Sequence, residues 1–155
     1  MSPTRLRLVD PELRDRWLEH AQQLTAGAGL RSGAARTALI ELLARDGQCL
    51  LTAQELTDRL RAQGLGSAAS VYRVIDELFA LGLLHRLDGR DGIARFEIAD
   101  PHRHHHHFVD ERTGDVEAFS DEALERAIDS VARRLGVELT GHDVVLRGER
   151  RAGDR

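Results

Sequence analysis

The apolar residues of this chain change their spacing part-way along, from helical to alternating, and that change restricts the fold more than any other feature. Asp10 precedes Pro11 and Glu12 as an N-cap, and Leu13, Trp17, Ala21 and Leu24 recur on one helical face until the glycine-bearing stretch 25–33. A second helix is predicted after Ser32 or Gly33 and runs to Arg45, carried by Leu39, Ile40 and Leu43. Thr52 and Glu55 form a capping box for a third, in which Leu56 and Leu60 face inward until Gly64. The fourth spans 67–81, with Val71, Val74, Ile75 and Leu78 on one side and Ser70, Tyr72, Arg73 and Asp76 on the other. Residues 83–87 and 93–98 then alternate around Asp88-Gly89-Arg90-Asp91-Gly92 and read as a hairpin. Three helices followed by a hairpin is the winged helix-turn-helix layout, which over residues 1–98 reads either as a DNA-binding domain or as a small α+β core with no nucleic acid involved.

A different pattern follows the break at Asp100-Pro101. Residues 104–109 and 116–119 read as strands around a Thr113-Gly114 turn. Ser120 is the expected cap of a helix with Leu124, Ile128, Val131 and Leu135 on its apolar face, Arg133 and Arg134 in its last turn and Gly136 beyond its end. Residues 137–146 read as a closing strand. The fold class is therefore α+β: an N-terminal winged helix-turn-helix domain, then a small α/β domain over 99–155 with a short C-terminal tail. So small a unit does not close its own core comfortably, and pairing with a second copy of the chain, a homodimer, supplies the missing surface.

Composition removes several alternatives. Aromatic residues make up only 4% of the 155 positions, so the core rests on Leu, Val, Ile and Ala. No run approaches the ~18 apolar residues a membrane span needs, and the first ten residues lack the apolar centre of a secretion signal, so a cytoplasmic location without membrane partners is expected. Cys49 is the only cysteine, which excludes an intrachain disulfide and a multi-thiolate zinc site. The net charge of −4 does not by itself suggest a nucleic-acid partner. Residues 1–85 nevertheless balance 10 Arg against 10 acidic residues, and the acidic excess lies wholly in 86–155.

Five of the eight histidines stand in the stretch Pro101-His102-Arg103-His104-His105-His106-His107. On a strand, His104 and His106 point to one face and His105 and His107 to the other, so one segment offers two separate imidazole pairs. Neutral imidazoles suit zinc, iron, manganese or cobalt, and each pair needs further ligands. Glu97 is available to one pair, Glu125 to the other, and His142 offers one more nitrogen. Four adjacent imidazolium groups would repel one another, a penalty that a bound cation removes. No His-Glu-x-x-His helix, Gly-x-Ser-x-Gly elbow or phosphate-binding glycine loop is present, Cys49 is flanked by Leu50 and Leu51 as a core cysteine would be, and no catalytic residue is assigned.

Taken in order, these residues resemble the ferric uptake regulator family of metal-dependent transcriptional repressors. Ser67-Ala68-Ala69-Ser70-Val71-Tyr72-Arg73-Val74-Ile75 is similar to its recognition-helix signature, and Ala35-Arg36-Thr37-Ala38-Leu39-Ile40 to an earlier helix motif, with Ala35 in place of the usual proline. Leu51 to Leu56, Phe96-Glu97, the histidine run, Phe119-Ser120-Asp121 with Glu125, and Leu139-Thr140-Gly141-His142 continue the match. The resemblance implies a dimer that grips double-stranded operator DNA when a divalent transition metal, zinc, iron or manganese, is bound. It groups His104, His106, Glu125 and His142 in one metal site, His106 standing where many members carry aspartate. Glu97, His105 and His107 fall in a second, sensing site. DNA contacts fall to Tyr72 and Arg73, to Arg36 at phosphate and to Ser67 and Ser70 at the helix start, with Arg90 reaching from the wing. Leu50 and Ala118 occupy positions where the family commonly adds sensing-site ligands, leaving Cys49, His102 or water to complete that site. Asp110 and Thr113 replace the first of the family's paired cysteines, so no structural tetrathiolate zinc is expected. A metal-binding or haem-responsive module of the same fold, without metal-gated DNA binding, is the alternative.

Overall fold

The computed structural model describes residues 4–5, 10–30, 33–100 and 104–153, so Ser32 and His102 lie outside the described residues. Its elements run β1 (Thr4–Arg5), α1 (Pro11–Gly27), α2 (Ala34–Asp46), β2 (Leu51–Thr52), α3 (Ala53–Ala62), α4 (Ala68–Ala80), β3 (Leu84–Asp88), β4 (Ala94–Ile98), β5 (His106–Asp110), β6 (Val116–Ser120), α5 (Glu122–Leu135) and β7 (Val145–Gly148). They form an α+β protein of two compact units, Leu8–His102 and Arg103–Arg155, the latter joined by Met1–Arg7.

In the first unit, the Asp10 carboxylate accepts from the Glu12 and Leu13 amides and starts α1. The capping box is complete at α3, with the Thr52 hydroxyl accepting from the Glu55 amide and the Glu55 carboxylate from the Thr52 amide. Leu13 and Trp17 of α1, Leu39 and Leu43 of α2, Leu56 and Leu60 of α3, and Val71, Ile75 and Leu78 of α4 pack into one buried cluster. Two buried polar groups find partners there. Trp17 donates its indole N–H to the Leu83 carbonyl at 3.0 Å, and Gln48 both accepts from the Asp10 amide and donates to the Asp10 carbonyl, at 2.7 and 2.8 Å. The predicted hairpin gains a third strand, giving the antiparallel order β2-β4-β3. The tip of this wing is tightly filled. A Cβ on Gly89 would stand 2.3 Å from the Asp91 carboxylate and 2.5 Å from the Arg95 guanidinium, so a larger residue there would push the Asp91–Arg95 pair aside. The Arg95 hydrogen bond and the Ile93 amide hold the Asp91 carboxyl down at about 2.

The second unit is built on the sheet β1-β6-β5-β7. β5 and β6 pair antiparallel, while β5 and β7 run parallel because α5 crosses between them. Three boundaries differ from the sequence expectation. The cap of α5 is Asp121, whose carboxylate accepts from the Leu124 amide at 2.9 Å, whereas Ser120 is the last residue of β6. Both residue types cap helices well, and the charged one gains more at the positive end of the dipole. β5 starts at His106 instead of His104, and the closing strand is only β7. Val137 and Leu139 alternate as strand residues do, yet both stay exposed, and 137–144 is a loop. The face of α5 expected to be apolar also lies open. Only Ala132 is buried, with Val131 43% and Leu135 69% exposed.

Asp110, 3% exposed, closes the β5–β6 turn by accepting from the Arg112 and Thr113 amides at 2.9 and 3.3 Å. Burial pushes its carboxyl up, but the amides of Arg112, Thr113 and Arg150 and the Arg112 charge outweigh burial and hold it below the ordinary carboxylate value. Where the resemblance places cysteine in other members, hydrogen bonds hold this turn. Among the described residues no helix is long and apolar enough to cross a membrane.

Candidate metal centre and nucleic-acid face

Four side chains of the second unit converge. His104 stands just before β5 and His106 at its start, the first turns of α5 supply Glu125, and the loop before β7 supplies His142, which the sequence had placed on a strand. Alternation along the chain separates the imidazoles as their spacing predicts: His104 and His106 lie 4.7 Å apart between ring centroids, and His105 and His107 4.9 Å. Glu125 is the hub, its Oε1 2.5 Å from His106 Nε2 and its Oε2 3.0 Å from His142 Nε2. His104 Nε2 lies 3.0 Å from His142 Nε2 and 3.7 Å from Glu125 Oε1.

Electrostatics favour an ion here over protons. Burial lowers the His104 imidazole, and the nearby His106 and His142 rings add to that against the pull of Glu125. Burial would raise the Glu125 carboxyl, but the His106 hydrogen bond and the His104, His106 and His142 charges prevail and depress it. The cluster thus combines one anion with imidazoles of which at least His104 resists protonation. Four ligands held ~2.0–2.1 Å from a tetrahedral ion stand roughly 3.3 Å from one another, the scale on which these donor atoms already sit. The His106 side chain is wholly enclosed and its Nδ1 is buried without a hydrogen-bond partner. The hydrogen bond to Glu125 Oε1 places a proton on His106 Nε2, and an ion bound there would take that proton's place, leaving the Nδ1 tautomer a metal ligand requires.

The other sequence-assigned residues lie as follows. His105 is partly buried and His107 buried in the second unit. In the first unit Glu97 is buried on β4, and its carboxylate lies within 4.8 Å of the Cys49 thiol. Cys49 is itself buried, as its apolar flanks predict. Leu50 and Ala118 are both buried apolar residues.

α4 carries most of the residues that the sequence assigns to DNA contact. Ser67 caps it by accepting from the Ser70 amide at 3.2 Å, and the two hydroxyls are 3.0 Å apart. With Val71, Val74, Ile75 and Leu78 buried, Tyr72 and Arg73 turn outward, Tyr72 being 54% exposed. Arg36 is placed differently from its neighbours in the assignment. It is only 13% exposed, and its Nε and Nη2 donate to Glu77 Oε2 at 3.0 and 2.6 Å. Neither that pair nor the Asp110 turn was foreseen. Glu77 lies 41 positions from Arg36, and no local spacing announces such a contact.

Comparison with known proteins places this geometry. Residues 27–147 match the ferric uptake regulator family. The ferric uptake regulation protein of Shigella flexneri is 33% identical over 129 residues, 82% of this chain and 86% of that protein. Among solved structures, the Vibrio cholerae ferric uptake regulator, described by a rearrangement of its DNA-binding domains, superposes with a TM-score of 0.75 at 31% identity, covering 83% of this chain and 98% of that one. The Pseudomonas aeruginosa ferric uptake regulator with manganese gives 0.71 at 30% identity, covering 84% and 97%.

Proposed function

Because the chain belongs to the ferric uptake regulator family, we propose that it is a metal-responsive transcriptional repressor, which binds operator DNA as a homodimer and controls genes of metal uptake. The observation that carries this reading is the convergence of His104, His106, Glu125 and His142 in a chain that also presents an outward Tyr72-Arg73 pair on a capped helix. Iron, zinc and manganese all accept imidazole and carboxylate ligands.

His104, His106, Glu125 and His142 would hold the ion, which would supply a positive charge shared by donors from three separate segments. The protein's own residues do the rest. Glu125 provides the only negative charge of the set and fixes the His106 and His142 rings through its two oxygens. His106, locked by burial and by Phe119 at 5.7 Å between rings, leaves the least room for adjustment. Glu97, His105 and His107 serve the second, sensing site. Leu50 and Ala118 offer that site no donor atom, which leaves Cys49, His102 or water to complete it. The exposed apolar face of α5 receives the partner copy, since single Leu and Val residues at that exposure on one strongly two-faced helix otherwise remain in water. On DNA, Arg73 neutralises phosphate, Tyr72 meets thymine methyl groups and the sugar edge, and the Ser67 and Ser70 hydroxyls hold the backbone at the helix start. Arg90 extends the contact from the wing.

The test is fluorescence anisotropy on a duplex selected from a random pool by the manganese-loaded protein. Binding that is tight with manganese and lost on chelation is the expected result. Equal affinity with and without metal would leave a metal-binding module without switching. An Arg73→Ala dimer, losing one phosphate contact per copy, should show a salt slope shallower by about 1.8.

A further inference from the structure

The Arg36–Glu77 pair is held against the electrostatics of both helices that carry it. Arg36 stands in the first turn of α2, where a cation faces the positive end of the dipole, and α2 has no acidic residue there to offset it. Glu77 stands in the last turn of α4, where an anion faces the negative end, and α4 has no basic residue there. Neither charge serves its own helix. Each serves the other: Nε and Nη2 of Arg36 both reach Glu77 Oε2, and the two side chains are only 13% and 23% exposed. Both helices also feed the buried apolar core, Leu39 and Leu43 from α2 and Val74 and Ile75 from α4, and apolar packing fixes direction less sharply than an ion pair with two donors on one oxygen. Glu77 also follows Asp76 on the helix that carries Tyr72 and Arg73, so an unpaired Glu77 would add a second negative charge beside DNA phosphates.

We infer that Arg36 and Glu77 are positioning residues for DNA recognition: the pair sets the angle and rotation of α4 on α2 and masks the Glu77 charge, and Arg36 acts through Glu77 instead of at phosphate. This rests on the repressor reading for its functional consequence, but the placement of α4 is measurable without DNA.

The experiment compares the full chain with Arg36→Gln, Glu77→Gln, the double variant and the charge swap Arg36→Glu with Glu77→Arg, using Arg73→Gln as a phosphate-contact control. Anisotropy on the selected duplex is measured with manganese across a salt series, and amide residual dipolar couplings of α2 and α4 are measured without DNA. Glu77→Gln should weaken binding by about 10-fold and Arg36→Gln by more, because it also bares the Glu77 charge, and neither should remove a phosphate contact from the salt slope as Arg73→Gln does. The double variant should be no worse than either single one, and the swap should recover most of the loss. The couplings should show α4 reoriented in both single variants and restored in the swap. The inference is overturned if Arg36→Gln flattens the salt slope as Arg73→Gln does while Glu77→Gln binds as tightly as the parent, or if the couplings are the same in every variant. A parent chain that binds no duplex would instead refute the repressor reading, and the couplings would still decide whether the pair places α4.

Discussion

Glu125→Gln isolates charge from shape at the metal centre. The amide keeps an oxygen to face His106 and leaves α5 intact, but removes the only anion among four converging groups. Outer-shell partners of metal ligands are worth roughly 10–100-fold in affinity, so loss of the anion itself should weaken binding by at least about 100-fold. At a free-metal concentration 100 times the parent dissociation constant, the ion stabilises the folded unit by about 2.7 kcal/mol. In the variant the same concentration only equals the dissociation constant, and the stabilisation falls to about 0.4 kcal/mol. The unit that melts, Arg103–Arg155 with Met1–Arg7, is in the size class whose midpoint moves ~4–8 °C per kcal/mol. The metal-induced rise of roughly 10–20 °C in the parent should therefore shrink to roughly 2–3 °C. Calorimetric melts in metal-buffered solution read this directly. An undiminished rise in Glu125→Gln would mean that the ion binds elsewhere and that the convergence on Glu125 is an ordinary hydrogen-bond cluster.

Three further outcomes follow from the same structure. Replacing Val131 and Leu135 by Asp should dissociate the dimer, because each buried apolar side chain contributes ~1.5–3 kcal/mol and two-fold symmetry counts each twice; sedimentation velocity showing an intact dimer at micromolar concentration would contradict it. Chelation should leave the far-ultraviolet circular dichroism and the sedimentation coefficient unchanged while DNA binding is lost, since the Asp110 amide contacts hold the β5–β6 turn without metal. Unfolding on chelation would refute that. The Asp91 carboxyl, lowered from 3.8 to about 2 chiefly by Arg95, stabilises the wing above its unfolded value and loses that contribution as pH falls through about 2. A carboxyl-carbon NMR titration with its midpoint near 4 would contradict the Asp91–Arg95 contact.

What could be read from the residues depended on the range over which each signal acts. Helical periodicity located α1 to α4, because Leu13 and Trp17 or Val71, Val74 and Ile75 declare a face within a few positions. The histidine alternation likewise rests on period two and needs nothing beyond neighbours. The cap of α5 differs by one residue from the expectation because Ser120 and Asp121 both carry capping oxygens, and only the pairing of Ser120 with Thr4 of β1 keeps Ser120 in the sheet. The stretch 137–144 imitates a strand in its alternation, but a strand requires a free edge to pair with, and β5 offers one only to β7. The exposed face of α5 cannot be told from a core face by periodicity, since an apolar stripe reads the same whether or not its own chain covers it. The Arg36–Glu77 pair left no mark in the sequence because its two partners lie 41 positions apart. Asp110 gave no signal beyond standing in a cysteine's place.

X-ray absorption of protein loaded with one equivalent of zinc tests the centre most directly. A first shell of three imidazole nitrogens and one carboxylate oxygen, losing its oxygen in Glu125→Gln and one nitrogen in His142→Ala, is the predicted result. A shell of water with one imidazole or fewer, unaltered by either substitution, would contradict it.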